Sequence, residues 1–187
     1  MRVLTLIFFT MTLFFSTMSA YALDGIPKVV KVGETSLILN GAGKRTKFVV
    51  TVYNAGLYLQ QKSNDADKII TTNEPMAIRM KIMSGFASSE KIKAALLQGF
   101  NNSTGGNTAP IQSEIDQLLG VAFRGEVSKG DVFDLIYTPE NGTQVIKNTK
   151  TLAFIKGLPI KQALFGIWLS ARPAQESLRN EMLGKSF

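Results

Sequence analysis

The sequence predicts an α+β domain in which helices cover one face of a large antiparallel sheet. Three observations carry this. Runs rich in β-branched and aromatic residues come first, the hydrophobic period lengthens to that of a helix at Ser88, and a strand–turn–strand pattern around Asn141-Gly142 precedes two further helical stretches. A doubly wound sheet would instead alternate strand and helix regularly.

The first 22 of the 187 residues read as an export signal rather than as part of the fold. Met1-Arg2 supplies the positive start, residues 3–15 are almost wholly apolar, and Ala20-Tyr21-Ala22 is a small-x-small cleavage site before Leu23. The apolar run is shorter than the roughly 20 residues that span a bilayer. The expected organisation is a signal peptide over 1–22 and a single domain over 23–187, periplasmic or secreted, with no membrane-spanning segment after cleavage.

Within the domain, residues 36–40 and 46–59 (TKFVVTVYNAGLYL) read as strands with a glycine turn between them, and residues 68–71 and 76–83 (MAIRMKIM) extend the series. The last of these alternates long apolar residues with Ala77, Arg79 and Lys81, the pattern of a strand with one wet face. From Ser88 or Ser89 as N-cap, Ile92, Ala95, Leu96 and Phe100 fall at helical spacing. Residues 109–121 repeat the pattern behind Thr108. Residues 131–138 and 143–148 flank Asn141-Gly142, the strongest short hairpin signal in the chain, and residues 152–155 add a strand. After Leu158-Pro159 the pattern turns helical again. A last helix can begin at Pro173 and end on Gly184.

Composition narrows the chemistry. The chain has no histidine and no cysteine, which excludes Ser-His and Cys-His nucleophiles, imidazole-ligated haem, ordinary zinc sites and disulfide staples. No cofactor or metal is expected. The formal charge of +7 is dispersed along the sequence, a pattern suited to weak attraction to anionic surfaces and not to nucleic acid, which needs a concentrated basic stripe. The carboxylate pairs Glu114/Asp116 and Asp131/Asp134 fall on an amphipathic helix and beside a hairpin, where solvated charges are ordinary.

One stretch invites a nucleotide reading. In LNGAGKRTKFVV, residues 39–50, Gly41, Gly43 and Lys44 spell much of a phosphate-cradling loop. The motif needs glycines five residues apart, Ser or Thr after the lysine, and a helix to follow. Here the glycines lie two apart, Arg45 follows Lys44 and a strand continues, so a hairpin turn with solvated cations is the expectation from physics alone.

The same stretch carries a resemblance. GAGKRTKFVVTVYNAGLYL (41–59), SGFASSEKIKAALLQGF (84–100) and LPIKQALFGIWLSARPAQESLRNEMLG (158–184) resemble the chalcone isomerase family, and in particular its secreted bacterial chalcone isomerase-like proteins. The resemblance implies an open-faced β-sandwich, with an apolar cleft between a large antiparallel sheet and a layer of helices. In the plant enzymes a phenolate attacks an α,β-unsaturated ketone within one molecule, and an arginine holds the phenolate; that arginine matches Arg45. The family's strand threonine falls at Tyr53, its ketone-polarising tyrosine at Ser88, and a later asparagine at Ala95. Lys161 lies near the last hydroxyl position.

With two donors replaced, the expectation is a protein that binds a small lipophilic ligand, fatty-acid-like or flavonoid-like, with an anionic end at Arg45 and weak or no isomerase activity. Candidate ligand-binding residues are Arg45, Tyr53, Ser88 and Lys161. Lys161 also reads as a solvated first-turn residue, Tyr58 as a core residue with a satisfied hydroxyl, and Phe165 and Trp168 as core. Two alternatives stay open. One is an isomerase or intramolecular lyase acting on a chalcone-like carbonyl compound; the other is a structural or partner-binding envelope protein whose cleft is filled by Met80, Phe86 or Leu96.

Overall fold

The computed structural model describes residues 21–185, so most of the expected signal peptide lies outside the described residues. The expected cleavage point after Ala22 falls inside the first strand, β1 (Tyr21–Leu23), which pairs with β2 (Ile26–Pro27). Seven further strands form one antiparallel sheet in chain order: β3 (Val29–Val32), β4 (Thr35–Lys47), β5 (Val50–Leu59), β6 (Met76–Ile82), β7 (Val132–Thr138), β8 (Gly142–Lys147) and β9 (Lys150–Ile155). The helices are α1 (Ala66–Thr71), α2 (Ser89–Ser103), α3 (Gln112–Ala122), α4 (Leu158–Leu169) and α5 (Glu176–Met182).

Strand alternation divides the interior in two. Ala55 and Leu57 of β5, Ile78, Met80 and Ile82 of β6, and Phe133 and Leu135 of β7 face the helices and join one large core. On the other face Tyr58, Ala77 and Leu37 pack under Ile26 of the β1–β2 ribbon. Elsewhere that face is polar, with Arg79 and Asp134 joined by a two-pronged ion pair at 2.6 and 2.9 Å. This is the open-faced arrangement expected from the sequence.

Helix α4 is apolar nearly all round, and nine of its twelve residues are buried, so it is the central helix of the layer. It crosses α2 where small residues allow close approach: a Cβ on Gly99 would meet Ile167 Cγ2 at 2.6 Å, and Ser103 Oγ donates to Ala163 O at 2.8 Å. Ser88 caps α2 as expected, its Oγ accepting from Lys91 N at 3.4 Å. Helix α5 begins at Glu176 rather than Pro173. It ends in a Schellman motif, with Gly184 at φ 67° and the amides of Gly184 and Lys185 bonded to Glu181 O and Asn180 O.

Two local expectations are overturned. Residues 68–71 belong to helix α1, not to a strand, because Asp65 caps its start by accepting from Lys68 N. The glycine-rich stretch is not a turn either. Gly41, Gly43 and Arg45 lie inside the 13-residue β4, and the turn is Phe48-Val49, closed by the Lys47–Val50 pair. The glycines serve helix docking instead: a Cβ on Gly41 would collide with the Glu181 carbonyl oxygen, and one on Gly43 with the Glu181 carboxylate.

Substituting Gly41→Ala, where the added methyl would meet the backbone of Glu181 and Met182, is therefore expected to lower unfolding stability by roughly 1–3 kcal/mol, as overpacking against a helix does. Gly120→Ala, at an exposed position of α3 with open space around it, is expected to raise stability by about 0.5–1 kcal/mol. Urea denaturation of the two variants checks both signs.

Candidate functional site

Register places Arg45 of β4 directly opposite Tyr53 of β5. Both point toward the helices: Tyr53 packs against the main core two residues from Ala55, and Arg45 lies two residues beyond Gly43, which faces α5. The two side chains are half-buried, where the sheet meets the ends of α4 and α5.

Each is only partly engaged. Tyr53 Oη accepts a hydrogen bond from Trp168 Nε1 at 3.0 Å, and its own O–H has no acceptor among the described residues. Burial raises the Tyr53 pKa, while the Trp168 bond and the Arg45 charge pull the other way, so the phenol stays protonated and able to donate at neutral pH. Arg45 Nη1 donates to Thr46 O at 2.7 Å and to Gln175 Oε1 at 3.0 Å. Its Nε and Nη2 have no protein acceptor among the described residues. A guanidinium and a phenol, each with donor capacity to spare and adjacent across a strand pair, suit an anionic oxygen.

Gln175, which no sequence signal marks, organises this corner. Its Oε1 also accepts from Thr46 N at 2.9 Å, and its Nε2 donates to Lys44 O at 3.1 Å. A lone glutamine ahead of a short helix has no periodicity or motif to betray it.

The other expected site residues are not brought to this corner. Ser88 is occupied as the α2 cap. Ala95 is exposed, and the buried side of α2 carries Ser89, Ile92, Leu96, Gly99 and Phe100. Of these only Ser89 is polar, and its Oγ donates to Gly125 O at 2.6 Å. Helix α2 thus offers the interior no unspent donor.

Lys161 is not solvated but fully buried. Its ammonium donates to Ile69 O, Ile70 O and Thr72 O at 3.1, 2.9 and 2.7 Å, and lies 5.4 and 5.5 Å from the ring centres of Tyr137 and Phe165. It caps the negative C-terminal end of α1, seven residues along α4 from Trp168 and so about 10 Å away by helical rise. Burial lowers its pKa to about 8, with Glu74 opposing. Tyr58 is a core residue whose hydroxyl donates to Pro27 O at 2.9 Å, as expected. Asp131 and Asp134 are spent on Lys147 and Arg79.

Two cavities, of about 260 and 330 Å³, open near Ile69 and Met76 and near Ile136 and Phe154; none of the candidate residues lines either. Met80 and Leu96 are buried between sheet and helices, whereas Phe86 is exposed.

The family model described as chalcone isomerase-like matches residues 22–184. No curated protein sequence matches the chain. Among solved structures, a fatty-acid binding protein of Arabidopsis thaliana superposes with a TM-score of 0.65 at 13% identity, covering 81% of this chain and 88% of its own. At that identity the likeness is one of fold.

The buried lysine predicts a pH signature. Its proton is held less tightly folded than unfolded, so stability rises as pH climbs from about 8 toward the unfolded value near 10.5. Between pH 8 and 9.5 the gain is on the order of 1–2 kcal/mol. Lys161→Met is expected to abolish this rise, as measured by urea midpoints across that range.

Proposed function

The chain belongs to the chalcone isomerase-like family, and from that membership we propose that it binds a small lipophilic molecule with an anionic end, fatty-acid-like or flavonoid-like, between sheet and helices after export to the periplasm. The observation that carries this reading is the Arg45–Tyr53 pair, with donors unspent at the edge of an apolar interior. The fatty-acid binding protein of similar fold supports the ligand class. An apolar tail entering beside the guanidinium would meet the Trp168–Tyr53 hydrogen bond and would have to displace it.

The same reading includes weak or no isomerase activity. Cyclisation of an unsaturated ketone needs a donor on the developing oxyanion as well as a cation on the phenolate. Ser88 is committed to capping, Ala95 faces solvent, and no inward residue of α2 replaces them. Losing one oxyanion donor commonly costs about 10²–10³ in rate, so chalcone turnover is expected near background.

A structural or partner-binding role is the second reading, favoured by the burial of Met80 and Leu96 in the space a ligand would take. Native mass spectrometry of the exported protein, followed by extraction, separates the two. An anionic lipophile bound to the wild type, with affinity at least tenfold weaker in Arg45→Ala, is the expected result. An empty protein whose folding and ligand uptake are unchanged by the substitution would leave the structural reading standing.

A further inference from the structure

The β4–β5 hairpin tip is built against its own backbone preference. Phe48 is the first residue of a two-residue turn and holds φ at 55°, whereas Val49 does not share the positive φ. That is the pattern of a turn whose first position belongs to glycine, and a bulky side chain there costs the fold conformational energy. Packing gives nothing back, since Phe48 is 92% and Val49 99% exposed. A strained residue that contributes no contact to its own fold points to use elsewhere.

The surroundings indicate what that use is. Met83 N bonds Val52 O, so the loop after β6 emerges at the same end of the sheet, and it carries Phe86 at 72% exposure. Three of the six exposed large hydrophobics among the described residues therefore project from one end. The same end collects Lys47, Lys129, Lys150 and, beside Gln175 on β4, Arg172, all exposed. The turns at the opposite end carry Glu34, Glu74 and Glu140 beside Lys62 and Lys156, and Glu90 and Glu126 lie near the Phe48 end. Both signs occur at each end, and what sets the Phe48 end apart is that its cations flank exposed apolar side chains.

We propose that this tip docks the protein on an anionic lipid bilayer, Phe48, Val49 and Phe86 entering the headgroup region while the flanking lysines and arginine meet the lipid charge. A bilayer fits better than a protein partner because the feature is a narrow convex projection, not the broad complementary face that a stable protein interface requires. Basic residues beside a few inserted apolar groups are the pairing that holds peripheral proteins at anionic membranes. The proposal stands independently of the ligand reading.

The test is sedimentation of the protein, purified after export with its N terminus read by intact mass, with vesicles of phosphatidylglycerol and phosphatidylcholine. Expected results are binding that needs phosphatidylglycerol, weakens at least tenfold between 0.05 and 0.5 M salt, and falls at least tenfold in Phe48→Gly/Val49→Ser. Because glycine suits the turn, that variant is expected to unfold no earlier than wild type, so lost binding cannot be lost folding. A Phe48→Trp variant is expected to shift its emission to the blue on vesicles. Vesicle binding unchanged in the Gly/Ser variant, no binding by the wild type, or a tip engaged by a protein while vesicles are ignored would each overturn the proposal.

Discussion

Over its second half, the longest strand of the sheet has no strand neighbour on one side. β3 pairs with β4 only as far as Ile38, and from Lys44 to Lys47 the backbone groups on that side would face solvent or another chain. The C-terminal segment closes the gap: Gln175 bonds Thr46 N and Lys44 O, the Glu181 carboxylate accepts from Lys44 N at 3.2 Å, and Asn40 holds Met182 O at 2.8 Å. This docking is possible only because Gly41 and Gly43 lack side chains. Once α5 is seated, Arg45 is fixed by Gln175, and Tyr53 lies opposite it with Trp168 of α4 above. The position of the candidate site follows from the closure of one strand edge.

Most of the polar groups that could have done chemistry are consumed by architecture. Lys161 is spent on the end of a six-residue helix, Arg79 and Asp134 on each other across β6 and β7, and Asp131 on Lys147, Asn148 and Ser128. Those bonds hold the Asp131 carboxyl below its usual range despite the cost of burial. Ser88 and Ser89 are likewise occupied at the start of α2. Among the described residues, Arg45 and Tyr53 keep donors to spare at the edge of the apolar interior, a combination able to hold an anion but poorly equipped to stabilise a second, developing charge at a distance. The proposal of binding without efficient turnover rests on that imbalance.

Much of this was legible in the sequence because the signals were local. The Asn141-Gly142 hairpin, the period change at Ser88 and the glycine after α5 each depend on a few neighbouring residues, and each lies where the pattern puts it. What was not legible depends on partners far along the chain. The requirement for glycine at 41 and 43 comes from Glu181, some 140 residues away, so a strand interior looked like a turn. Lys161 looked solvated because its three carbonyl partners lie about 90 residues earlier, in a helix too short to show a period. The strands before Thr35 are two to four residues long and carry no repeat to read.

The two ends of the sheet are therefore built to different rules. At one end the turns are polar, and Lys161 draws α1 against α4 beneath them. At the other, a strained aromatic turn stands three residues from Arg45, with an exposed phenylalanine and several cations at the same end. If a lipophilic anion is the ligand, it would pass from a bilayer at that end to the guanidinium along the length of a single hairpin, without crossing the packed interior around Met80 and Leu96. The burial of those two residues would then bound how deeply the ligand reaches, and the Trp168–Tyr53 hydrogen bond would be the contact it displaces on entry.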